Sequence, residues 1–117
     1  MSQELSVAVR QREGTRAVVQ VSGDMDVDSC PPLEQALADL ADSGTLHLVL
    51  DMSAVGFCDS SGINALLRAL AHAKERHGSL SLAATAPQVQ RVLDLLGMGA
   101  VITSYPSVAA ALERTGT

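Results

Sequence analysis

The run Leu46-His47-Leu48-Val49-Leu50 most constrains the fold, because its apolar residues leave no polar face. A strand of that kind is buried on both sides, the signature of a central parallel strand. Parallel neighbours need crossovers, so the rest of the chain has to supply helices that pack on the sheet. The strand leads into the segment Leu50 to Asn64, Leu-Asp-Met-Ser-Ala-Val-Gly-Phe-Cys-Asp-Ser-Ser-Gly-Ile-Asn, which enters a helix through the small polar turn Asp59-Ser60-Ser61-Gly62.

The flanking sequence supplies what this strand requires. Leu5 to Val9 alternates, Arg10 to Gly14 is polar, and Ala17 to Val21 is a β-rich run ending near Gly23, which predicts an antiparallel hairpin. Pro31 and Pro32 suit the first turn of a helix whose apolar positions are Leu33, Ala36, Leu37, Leu40 and Ala41, stopped by Ser43-Gly44. Ile63, Leu66, Leu67 and Leu70 give a second amphipathic helix closed by Gly78, and Leu80 to Ala84 a further strand. Pro87 opens a third helix with Val89, Val92, Leu93 and Leu96 on one face and Gly97 as its cap. Val101-Ile102-Thr103 reads as a short edge strand and Pro106 to Arg114 as a last helix. The expected fold is α/β: a mixed sheet of four to five strands with an N-terminal antiparallel pair, packed by about four helices. Residues 1–117 read as one domain without linker or repeat.

With 47% hydrophobic and 18% charged residues, 117 residues can bury a core without metals or disulfides. Aromatics make up 2%, so Leu, Val, Ile and Ala must build it. A net charge of -5, one lysine (Lys74) and scattered arginines argue against direct nucleic-acid binding, which rests on cationic side chains neutralising phosphates. Cys30 and Cys58 lack metal-ligand spacing and read as reduced, buried thiols of a cytoplasmic protein. No secretory signal and no membrane span are expected. Neither a metal nor a cofactor is expected.

The turn is where function is expected. A hydroxyl at a helix start lies beside unpaired N–H groups and the positive end of the helix dipole, where a phosphate on serine is tolerated. The same four residues also make an ordinary capped helix start, since Asp and Ser lead at N-caps. Projection at about 100° per residue places Ser61 opposite the apolar face and Ser60 nearer its edge. That projection holds only if the turn is already helical, and Asp59 or Ser60 can instead be the N-cap.

The run Leu48 to Asp51, continued by Phe57-Cys58-Asp59-Ser60-Ser61-Gly62 and preceded by Gly23-Asp24-Met25-Asp26, resembles the STAS domain of anti-sigma factor antagonists. The resemblance covers essentially the whole chain. It implies a non-enzymatic partner switch: the unmodified domain binds an anti-sigma factor that is also a serine kinase, and a sigma factor is freed. The kinase then phosphorylates the first serine after the aspartate, here Ser60 with Ser61 as runner-up. Phosphorylation blocks binding, and a serine phosphatase resets the domain. By the same resemblance Asp26, Asp59, Ser60, Ser61 and Gly62 contact the partner; Asn64, one turn into the helix from Ser60, reads either as a partner contact or as a polar surface residue. Asp24 stands where glutamate is usual, and the paired prolines are uncommon at the first helix. The family also contains scaffolds of stress-signalling complexes and accessory subunits of lipid transporters, which remain the alternative.

Other readings fit less well. Asp24 and Asp28 read as solvated loop residues, and Asp51 as the end of the central strand, capping the turn. His47, His72 and His77 form no base or ligand cluster. Cys58 beside Asp59 is not expected to be a thiolate. A serine nucleophile lacks the Gly-x-Ser-x-Gly elbow and a histidine tied to it. A phosphoaspartate receiver, with Asp51 as acceptor, would need a single starting strand and a lysine near the last one.

Overall fold

The computed structural model describes residues 4–114. β1 (Ser6–Glu13) and β2 (Arg16–Met25) form the hairpin, followed by α1 (Cys30–Asp42), β3 (His47–Cys58), α2 (Ser60–Glu75), β4 (Ser79–Ala83), α3 (Pro87–Leu95), a 3-10 turn (Met98–Ala100), β5 (Ser104–Tyr105) and α4 (Val108–Arg114). The strands lie in the order β1-β2-β3-β4-β5. β1 and β2 are antiparallel, and every later pairing is parallel. The mixed α/β architecture expected from the sequence is therefore present.

Register sorts the core into two unequal faces. Ala17, Leu48 and Leu80 stand side by side on β2, β3 and β4, as do Val19, Leu50 and Leu82. These residues meet Leu33 and Leu37 of α1, Leu66 and Leu70 of α2, and Val89 and Leu93 of α3 in one large cluster. The other face carries Val18, Val49 and Ala83, covered by Ala111 with Val108 and Leu112 of α4. Val49 and Leu50 are both fully buried, which explains why the central run lacks alternation.

Several boundaries differ from the sequence reading. The polar residues Arg10 to Glu13 continue β1, because an edge strand tolerates exposed polar side chains; Arg10 Nε donates to Gln20 Oε1 across the hairpin at 2.8 Å. Gly14, at φ 61°, makes the turn. Asp51 does not end β3 but sits within it, opposite Gln20 and Ala83, and its carboxylate accepts from the Ser53 N–H at 3.0 Å. Beyond Asp51 the strand runs seven residues further to Cys58, paired with β2 alone. Its register against β2 shifts between Gln20 and Ser22 and again between Gly23 and Asp24, so Met52, Val55 and Cys58 are buried at every third position. Bulges of this kind erase the two-residue period by which a strand is recognised.

The end of α2 uses His77 as its left-handed residue, at φ 62°. Gly78 is required for lack of space, since a Cβ there would lie 2.0 Å from the Leu46 carbonyl oxygen. The edge strand is Ser104–Tyr105 and not Val101-Ile102-Thr103. Ile102 is instead drawn into the large core by the 3-10 turn, its N–H donating to the Met98 carbonyl at 2.9 Å. Gly97, at φ 68°, ends α3 as expected, but Leu96, the C-cap residue of the helix, is 58% exposed. Leu93→Ala should therefore destabilise the protein by about 2–5 kcal/mol in urea unfolding. Leu96→Ala should change stability by no more than about 0.5 kcal/mol, reversing the equivalence implied by helical spacing.

Candidate functional site

The site stands where the extended ends of β2 and β3 meet the N-termini of α1 and α2. Met25 pairs with Cys58 as the last rung of the parallel ladder, and the Asp59 N–H donates to the Met25 carbonyl at 3.2 Å. The two loops at the carboxyl ends of neighbouring strands are thus tied backbone to backbone. Open α/β sheets commonly place their binding residues at this edge.

Asp59 is the N-cap of α2, in extended conformation. Its Oδ1 accepts from the Ser61 N–H at 2.9 Å and the Gly62 N–H at 3.2 Å, while the Ile63 N–H donates to its carbonyl at 3.1 Å. Ser60 is consequently the first helical residue, exposed to solvent, and Ser61 is half-buried. Both serines are helical, so the condition for the projection is met, yet the order of exposure is the reverse of the one it gives; the first turn of α2 packs against the end of β2, with Gly62 in contact with Met25 and Cys58. The expectation of unpaired N–H groups around the serine is also corrected: those of Ser61 and Gly62 are already bound by the Asp59 carboxylate. Added negative charge at Ser60 would stand beside a negative cap.

Gly62 is fixed by space. A Cβ at this position would lie 2.7 Å from Cys58 Sγ and 3.0 Å from Met25 Cβ, so only glycine lets α2 start this close to the strands. Asn64, one turn on, is exposed. Asp26 lies in the adjoining loop, where its Oδ1 accepts from the Asp28 N–H at 3.1 Å and the Ser29 N–H at 3.0 Å. Ser29 Oγ completes the brace, accepting from the Asp26 N–H at 2.9 Å and donating to the Asp24 carbonyl at 2.8 Å. Asp26 therefore shapes the loop before α1. Asp24 is half-buried, whereas Asp28 is exposed.

The remaining titratable residues stay apart from this edge or are chemically quiet. His47 Nδ1 lies 2.9 Å from Ser79 Oγ, and His72 Nε2 lies 2.9 Å from Asp42 Oδ1, where His72 and Arg76 together hold the Asp42 carboxyl below its ordinary range. Cys30 and Cys58 are free and buried. Burial, with Cys30 and Asp59 adding to it, pushes the Cys58 thiol up to about 12, and burial likewise raises Cys30. Neither is an activated nucleophile. No group of three or more His, Cys, Asp or Glu among the described residues is placed to hold a metal. No described helix is long and apolar enough to cross a membrane.

A family profile described as "Mlab, STAS domain" matches residues 8–103. The chain belongs to the STAS domain family. The anti-sigma-B factor antagonist of Bacillus subtilis strain 168 is 30% identical over 98 residues, 84% of this chain and 88% of the relative. The crystal structure of an anti-sigma factor antagonist from Mycobacterium paratuberculosis is also 30% identical, with a TM-score of 0.80 over 96% of this chain and 94% of that one. The antagonist SpoIIAA in its unphosphorylated form gives a TM-score of 0.75 at 18% identity, covering 94% of each chain. At that identity the likeness is one of fold.

In this STAS domain the structure adds two residues that sequence reasoning missed. Val27 is 67% exposed in the loop after β2, and Phe57 is 50% exposed on β3, three residues before Ser60. Both leave apolar surface open to solvent next to the Asp59-Ser60 turn or in the loop tied to it. A signal was present for Phe57, the only phenylalanine of the chain, immediately before Cys58-Asp59-Ser60-Ser61-Gly62. Val27 had none.

The cap and the close approach can be tested by stability. Asp59→Ala should cost about 0.5–2 kcal/mol and Asp59→Asn less, while Gly62→Ala should cost about 1–3 kcal/mol, measured by urea unfolding. The raised Cys58 thiol keeps its proton in the folded state after the unfolded chain has lost it. Its contribution is therefore present below pH 9 and lost as pH rises towards about 12. Stability measured from pH 8 to 11 should fall more steeply in the wild type than in Cys58→Ala.

Proposed function

We propose that this protein is an anti-sigma factor antagonist that acts by binding and not by catalysis. Its unphosphorylated form captures a serine-kinase anti-sigma factor and so releases a sigma factor. Phosphorylation of Ser60 by that kinase ends the capture, and a serine phosphatase restores it. The observation that carries this reading is the exposed Ser60 at the first position of α2, beside the exposed Phe57 and the Asp59 cap. The 30% identity to a protein named as an anti-sigma-B factor antagonist supplies the class of partner.

The energetics favour a local switch. A phosphate adds about -1.5 to -2 charge and three acceptor oxygens to a turn that already bears Asp59. Helix-dipole stabilisation of that charge in the free domain is only about 0.3–1 kcal/mol. Like-charge juxtaposition across an interface costs several kcal/mol, and each 1.4 kcal/mol is about tenfold in affinity. Binding should fall by roughly two to three orders of magnitude while the fold stays as it is. Because Asp59 already fills the Ser61 and Gly62 N–H groups, a phosphate gains little there that would compete with the loss at the interface.

Ser60→Ala should retain a kinase-fold anti-sigma factor in a pulldown and Ser60→Asp should release it; equal retention would overturn the switch. Phosphopeptide mapping after kinase treatment should find Ser60 and not Ser61. Backbone chemical shifts of the two forms should differ only around the β3–α2 turn and the loop next to it.

A further inference from the structure

A groove of about 460 Å³ opens beside the Asp26–Ser29 loop, between the start of β1 and the first turns of α1. Val7, Leu33 and Ala36 form its apolar wall, and Glu4, Asp26 and Asp28 stand around it; no lysine or arginine is among the described residues that line it. That volume falls within the range of roughly 300–1,000 Å³ typical of pockets that enclose a ligand. The groove is continuous with the edge described above, since Asp26 belongs both to its rim and to the loop tied through Met25 to Asp59.

We propose that this groove is the second half of the docking surface, receiving from the anti-sigma factor a segment with an aliphatic side chain next to an arginine or lysine. The proposal rests on the function given above for the Ser60 turn. An aliphatic side chain is required by the wall, which would otherwise stay wet on binding. A cationic neighbour is required by the rim: three carboxylates around one opening, in a chain of net charge -5, attract a basic segment and repel an acidic one. Ser60 and Phe57 then supply the part of the contact that modification can break, and the groove supplies a part of fixed charge that selects the partner.

The affinity of the full chain for its kinase decides the matter. Ala36→Phe fills the groove from a helical position that is only half-buried, and Asp28→Lys reverses the rim on an exposed loop residue. Each should weaken kinase binding about tenfold, a loss of about 1.4 kcal/mol, with the midpoint of thermal unfolding unchanged. If Ala36→Phe lowers that midpoint, Ala36→Gln together with Asp28→Lys carries the comparison. Undiminished binding by these variants overturns the groove while leaving the Ser60 switch intact. If the wild type captures no kinase, the function proposed above fails, and the groove is judged by amide shifts on titration with two dipeptides. N-acetyl-leucyl-arginine amide should then perturb Val7, Asp28 and Ala36 saturably, and N-acetyl-leucyl-glutamate amide should not. Equal responses to the two, or none to either, overturn it.

Discussion

The parallel ladder between β2 and β3, carried beyond the reach of β4, is the interaction on which the rest of the structure depends. β4 accompanies β3 only as far as Asp51, whereas β2 follows it to the Met25–Cys58 rung. This two-stranded extension is held from one side by the starts of α1 and α2. Its last backbone bond, from the Asp59 N–H to the Met25 carbonyl, fixes the two loops relative to each other. A strand pair alone is marginal in water, so the packed helices and the glycine contact at Gly62 are what keep it in place. Serine, aspartate and exposed aromatic arrive at the surface as one rigid group because their supports are buried.

Unequal covering of the sheet serves the same end. α1, α2 and α3 share one large apolar cluster, while the second face is closed by the short α4. Two of the helices on the heavily packed face, α1 and α2, are those whose N-termini and preceding loops form the candidate site. Close packing makes that face resistant to continuous deformation. Under the proposed function, a phosphate on Ser60 would accordingly act as a change in surface charge, since a rearranged domain would have to disrupt the best-packed part of the molecule.

Local electrostatics also differ from the simplest picture of a helix entrance. An empty N-terminus would welcome a phosphate, and a switch built on one would gain internal stability when modified. Asp59 occupies that position in advance, so the N–H groups of Ser61 and Gly62 are satisfied before any phosphate is added. Burial above all, then Cys30 and the same carboxylate, raises the neighbouring Cys58 thiol. One capping residue thereby orders the turn and sets the sign of the charge that a phosphate would meet.

The sequence by itself determined the element order, the mixed sheet, the central strand with two buried faces, and the turn Asp59-Ser60-Ser61-Gly62 as the place to look. Those properties are written in local periodicity, in Pro at helix starts and in Gly and Asp at turns, which act over a few residues. Tertiary structure alone decided that β3 continues past Asp51, since two register shifts against β2 replace the alternating pattern with burial at Met52, Val55 and Cys58. It decided that Ile102 is core and Leu96 is surface, because the positions at which α3 and β5 begin and end depend on their neighbours. It also set the relative exposure of the two serines: Asp59 accepts from the Ser61 and Gly62 N–H groups as the N-cap, and in the turn that follows Ser60 is exposed while Ser61 is half-buried.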